Sequence, residues 1–155
     1  MKAARQIREW FSKRFRIDAG ALGRLGERCA ARYLARNGLE ILAANVRLSG
    51  VEIDLVARQG QTLVFVEVKS TSEGSWCEGF ERIDASKRRF LRRACRAYLA
   101  RLEREPESYR LDAVSVRFSA RSFWPRVRRI YWEKGLFPID EWVRAWCRKR
   151  RSLNW

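Results

Sequence analysis

An α/β domain, a mixed sheet flanked by helices, is the fold class this sequence predicts, and three observations predict it. Apolar runs over residues 52–58 and 62–69 read as strands joined by a Gln59-Gly60-Gln61 turn. Segments with helical periodicity lie on either side of this hairpin, over residues 19–37 and from 85 to about 105. An alternating run over 109–118 then returns the chain to the sheet, so helices and strands are interspersed. A chain of 155 residues, 46% of them hydrophobic, supports one domain with a substantial core. Its expected organisation is a basic amphipathic segment over 1–18, the sheet domain over 19–135, and a C-terminal helix with a basic tail over 136–155.

In residues 1–16, Ile7, Trp10, Phe11 and Phe15 recur at helical spacing beside Lys2, Arg5, Arg8, Lys13, Arg14 and Arg16, which predicts a short amphipathic helix. Its aromatic stripe docks on the domain, or alternatively the helix serves as a DNA-contacting arm or lies on a membrane surface. Over 19–37 the stripe is Leu22, Leu25, Cys29, Tyr33 and Leu34, with Gly38 as the stop. Residues 39–48, carrying Asn45, lead as a strand into the hairpin. Residues 70–79 form a Ser- and Gly-rich loop, in which Trp76, with Phe80 just beyond, is either a core anchor or a stacking surface for bases. Asp84 is the expected N-cap of the next helix, and Phe90, Leu91, Ala94, Tyr98 and Leu102 form its apolar side before Pro106 ends it. Leu111, Ala113, Val114 and Val116 belong to the strand over 109–118. An edge strand over 127–132 and a helix over 139–150, burying Trp142, Val143 and Trp146, complete the chain.

Charge narrows the function. With 34 Lys and Arg against 18 Asp and Glu, the net charge is +16, which points to a polyanionic partner, DNA foremost. On the helix from 85, Lys87, Arg88, Arg89, Arg92, Arg93 and Arg96 crowd one side, and like charges at i,i+4 repel unless anions lie between them. That side reads as a phosphate track, with the Arg148-Lys149-Arg150-Arg151 run adding nonspecific affinity. A membrane partner is not expected, because no apolar stretch approaches the roughly twenty residues of a spanning helix, and no cleavable signal pattern opens the chain. Cys29, Cys77, Cys95 and Cys147 have no C-x-x-C spacing and the chain has no His, so a zinc site of usual type is excluded. Reduced thiols and a cytoplasmic location are expected, with monomer and homodimer both open.

The hairpin carries the chemistry. Glu52, Asp54, Glu67 and Lys69 lie among Val, Ile, Leu and Phe, where charges are costly unless paired or bound to a metal. Strict alternation puts Glu52, Asp54 and Val56 on one face, Ile53, Leu55 and Ala57 on the other, and Phe65, Glu67 and Lys69 together. Asp54 and Glu67 are hard oxygen ligands suited to Mg²⁺ or Mn²⁺, and Lys69 is then placed to orient the attacking water or offset charge on a phosphate. The plainer alternative is an ion pair on a half-exposed sheet face.

Asp54 followed by Glu67-Val68-Lys69 resembles the D-(x)n-E-x-K signature of the restriction-endonuclease-like superfamily. With Gly26-Glu27, Asn45, Glu52-Ile53-Asp54-Leu55, Ser86-Lys87 and Arg110-Leu111-Asp112, the chain over about 20–135 resembles the YraN family of bacterial endonuclease-like proteins. The resemblance implies a restriction-endonuclease-like mixed sheet flanked by helices, related in layout to archaeal Holliday-junction resolvases. The resemblance itself brings no established activity; with the hairpin acids, the expected function is metal-dependent hydrolysis of phosphodiester bonds in DNA, with Asp54, Glu67, Lys69 and Glu27 catalytic and Asp54, Glu67 and Glu52 around the metal. Glu27 is otherwise a solvated surface residue, and Lys87 is either a contact to the scissile phosphate or a solvated lysine. Asp112 is expected to pair with Arg110 or cap a strand end. Val51 stands where the family has Gly, and Thr71 where it has an Arg that offers a phosphate contact. A noncatalytic nucleic-acid-binding module that retains the fold, and a basic protein-interaction factor, are the alternative functions.

Overall fold

The computed structural model describes residues 18–72, 85–104, 106–119 and 125–136. Its elements are α1 (Ala19–Arg36), β1 (Glu40–Leu48), β2 (Val51–Gln59), β3 (Thr62–Ser72), α2 (Ala85–Leu99), β4 (Ser108–Phe118) and β5 (Val127–Glu133). The expected helices over 1–16 and 139–150, the basic run at 148–151, and Trp76, Phe80 and Asp84 lie outside the described residues. Among the described residues, no helix is long and apolar enough to cross a membrane.

Element boundaries have local causes. Past α1, Gly38 takes φ +85, a conformation open to glycine. Leu39 N–H then donates to the Leu34 carbonyl at 3.1 Å and Gly38 N–H to that of Ala35 at 3.2 Å, a Schellman closure whose Leu34 and Leu39 are both buried in one cluster. Ser49 and Gly50 join β1 to β2 with φ of 53° and 75°, the two positive values a type I′ hairpin turn requires. α2 ends at Leu99, short of the expected 105. Bonds from Arg101 N–H to the Tyr98 carbonyl and from Leu102 N–H to that of Leu99 span three residues and tighten the chain there.

The five strands lie in the order β1-β2-β3-β4-β5. Pairing is antiparallel except between β3 and β4, which are parallel and joined through α2 as a crossover. One helix covers each face. Leu91, Ala94, Cys95 and Leu99 of α2 bury against Ile53, Val56, Leu63, Phe65 and Leu111. Ala30 and Leu34 of α1 bury against Leu55, Ala57, Val64, Val66, Val114, Val116 and Phe118. Each large apolar side chain so buried contributes about 1.5–3 kcal/mol. Burial of β3 on both sides explains its unbroken Leu63-Val64-Phe65-Val66 run. β5 is an edge strand, as expected. Burial pushes the Cys95 thiol up to about 12, which keeps it an inert core residue.

Two packing details depart from periodicity. Phe90, expected on the apolar side of α2, is 46% exposed, and Leu91, Ala94, Cys95 and Leu99 take the core instead. On α1 the closest approach to the sheet is made by Gly26. A Cβ there would lie 1.7 Å from Ser70 Oγ and 3.0 Å from Ser70 Cβ, so only glycine lets the helix rest on β3 at this point.

Candidate active site

Strict alternation fails where the acids are. Ile53 packs on the α2 side of the sheet, Leu55 and Ala57 on the α1 side, and Val56 on the α2 side again. Ile53 and Val56 are three residues apart, so an unbroken pleat would put them on opposite faces. Neighbouring β1 makes the same step, with Ala43 and Val46 both on the α2 side. Asn45 stands at this point with φ 52°, the left-handed region that Asn tolerates better than most residues. In the register it falls opposite Asp54, between the pairs Ala44–Leu55 and Val46–Ile53.

The step lets two strands part. The β2–β3 ladder runs from Gln59–Thr62 to Leu55–Val66 and stops. Beyond it, among the described residues, β2 pairs only with β1, while Glu67–Ser72 of β3 pair only with β4. Asp54 sits in the crotch of this fork, in the plane of the sheet, and its Oδ2 accepts a 2.6 Å bond from Val68 N–H of β3. The carboxylate takes the place of the next rung. Its carboxyl is pushed up from 3.8 to about 7, first by burial and then by the charge of Glu67, with Glu27 adding to the rise and the Val68 N–H and Lys87 opposing it.

Glu67 projects from β3 toward α2. Its Oε1 lies 2.8 Å from Lys87 Nζ, and its side chain is 16% exposed against 43% for the lysine. Among the described residues, Glu67 Oε2 is buried without a hydrogen-bond partner. Lys69 is exposed two residues further on. On the α1 side, Asn45 Nδ2 donates to Glu27 Oε2 at 2.7 Å and to Glu52 Oε1 at 3.3 Å. Glu52 also meets Arg47 Nε at 2.9 Å. Asp54 and Glu67 therefore share the fork, with Glu27 close enough to raise the Asp54 carboxyl, and Glu52 turns toward β1. Among the described residues, no three Asp, Glu, Cys or His side chains form a ready-made metal cage.

The six basic residues of α2 divide. Lys87 faces the fork. Arg88, Arg89 and Arg93 are exposed, whereas Arg92 and Arg96 are half-buried. Arg93 Nη2 donates to the Ser49 carbonyl at 2.7 Å, and its guanidinium lies 5.4 Å from the centre of the Phe90 ring. Asp112 has the structural role expected of it. Fully buried, it accepts from Arg110 Nε at 2.9 and 3.1 Å, Trp132 Nε1 at 2.9 Å and Gly135 N–H at 3.0 Å. Sequence reading did not find the Asn45 bridge or the Val68 N–H. An Asn in the middle of an apolar strand was the available signal for the first.

A mixed sheet with a helix on each face and acids where two strands part has the restriction-endonuclease-like architecture. The chain belongs to the family described as Uncharacterised protein family UPF0102, whose profile matches residues 26–116; this is the YraN family named from its motifs. It is 44% identical over 95 residues to a UPF0102 protein of Symbiobacterium thermophilum, covering 61% of this chain and 80% of the relative. A UPF0102 protein of Desulfitobacterium hafniense is 41% identical over 98 residues, covering 63% and 81%. One of Syntrophotalea carbinolica is 38% identical over 122 residues, covering 79% and 95%. Glu27, Asn45, Glu52, Asp54, Glu67, Lys69 and Lys87 all lie within the matched range.

Proposed function

We propose that this protein is a divalent-metal-dependent nuclease that hydrolyses phosphodiester bonds in DNA. The observation that carries the reading is the fork, where the Asp54 carboxyl is pushed up to about 7 beside Glu67, whose Oε2 is buried with no partner among the described residues. Acids crowded in this way, with lone pairs in excess of donors, suit a cation. The donor set fits Mg²⁺ or Mn²⁺, since it is all oxygen, and Mg²⁺ is commonly held by one or two carboxylates plus substrate phosphate rather than by a full protein cage. Asp54 and Glu67 would hold the ion, with Glu27 and Glu52, linked by Asn45, as flanking acids. When bound, the ion supplies Lewis acidity toward the phosphate and a more acidic water.

The remaining steps belong to the chain. Lys87 supplies positive charge to Glu67 and, from its half-exposed position, passes to a phosphate oxygen when DNA arrives. Lys69, on the same strand, orients the attacking water or offsets the developing charge. Arg88, Arg89 and Arg93 extend the basic surface along α2. The Lys87–Glu67 pair also favours one competing reading, a noncatalytic nucleic-acid-binding module in which the ammonium is the lasting counter-charge.

The test is calorimetry with Mn²⁺ and Mg²⁺, with and without DNA, beside cleavage of single-stranded, duplex, flap and four-way-junction DNA. Wild-type protein is expected to bind the ion and cut, and Glu67→Ala to lose both activities while still binding DNA. Absence of ion binding with DNA present would leave the binding module as the function.

A further inference from the structure

Phe90 is a large apolar side chain that the core does not use: its ring is 46% exposed while its neighbour Leu91 is 1% exposed. It lies three residues beyond Lys87, so the two share one side of α2 a single turn apart. Lys87 reaches Glu67 in the fork, so the ring stands one turn of helix from the lysine that meets the acids. The ring also has a cationic neighbour. Arg93 stacks its guanidinium 5.4 Å from the ring centre and is itself tied to the β1–β2 turn by its 2.7 Å bond to the Ser49 carbonyl. Arg88 and Arg89, both exposed, precede the ring, and the whole chain carries +16.

We propose that the Phe90 ring, flanked by Arg93, is a stacking platform for an unpaired nucleobase beside the acid fork, so that the preferred ligand is single-stranded or branched nucleic acid rather than continuous duplex. This rests on the reading of the protein as nucleic-acid binding and names the substrate class for the same site. The surrounding charge selects a polyanion, and an exposed aromatic amid phosphate-binding cations offers that polyanion a flat apolar surface. In a continuous duplex each base is already covered on both faces by its neighbours. Only a base that has left the stack offers a face to the ring, as at a flap, a junction or a single strand.

Fluorescence anisotropy with labelled single-stranded and duplex oligonucleotides of equal length, in EDTA, tests this without any cleavage. Wild-type protein is expected to bind the single strand more tightly. Phe90→Ala should weaken single-strand binding about tenfold, leave duplex binding within about twofold, and leave the salt dependence unchanged, because no phosphate contact is removed. Phe90→Trp should retain the preference and Phe90→Leu, apolar but unable to stack, should not. Equal loss on both ligands, no loss on either, or rescue by Leu would overturn the proposal. Because no divalent ion is present, a protein that keeps this preference yet never cuts with Mn²⁺ would separate failure of the nuclease reading from failure of the stacking site.

Discussion

Asp54 and Asp112 are both aspartates set within strands of one sheet, and their surroundings differ above all in the supply of donors. Asp112 is saturated: both oxygens accept from the Arg110 guanidinium, and the Trp132 indole and Gly135 N–H supply one further bond each. Among the described residues Asp54 accepts one bond, from Val68 N–H, and it faces another carboxylate. Burial alone does not mark a working acid. Donors in balance with lone pairs make a strut, whereas a deficit of donors beside a second acid is what the proposed cation would complete.

Asp112 is where a substitution costs most. Replacing it by Ala leaves Arg110 and Trp132 without their acceptor and should destabilise the fold by about 3–5 kcal/mol, read as a shift in the urea midpoint. A comparable loss for Asp54→Ala would mean that Asp54 is a strut as well. The proposed metal would supply the next effect. Because the Asp54 carboxyl holds its proton up to about pH 7, an ion must displace that proton at lower pH. Mn²⁺ affinity measured by calorimetry should fall by about tenfold for each pH unit below neutral and level off above it. A flat profile would take Asp54 out of the ion's shell. The smallest effect is on stability without metal. The folded chain keeps the Asp54 proton to about 7 and the unfolded chain releases it near 3.8, so the folded state binds more protons between these values and loses stability as pH rises across them. Asp54→Asn should flatten that fall and stabilise the metal-free protein by about 1 kcal/mol above neutral pH. Thermal melts across the pH range check it, and a steeper fall in the variant would reverse the assignment.

Much of this architecture was legible in the chain. The α1 stop at Gly38 and the Gly60 hairpin follow from residue types with few other uses, and the pairing of Asp112 with Arg110 followed from their nearness in one strand. The spacing of Asp54 and Glu67 named the two acids that meet. What could not be read was a consequence of geometry beyond the pleat. Period-two counting put Asp54 on a face with Val56, whereas the step at Asn45 and Asp54 turns the carboxylate into the plane of the sheet. Helical counting likewise gave Phe90 to the core, because apolarity alone does not tell which side of a broad stripe faces the sheet.

The contact between Gly26 and Ser70 has a consequence for how such chains diverge. Residue 26 precedes the acid that α1 brings toward the fork, and residue 70 lies one position beyond Lys69. The space between them admits the side chain of one partner only, so the two positions behave as a single volume divided between helix and strand. A relative that gains bulk at the first must surrender it at the second, or lift the helix and carry Glu27 away from Asn45. The reach of an acid on one face of the sheet is thus inherited from the absence of a side chain next to it.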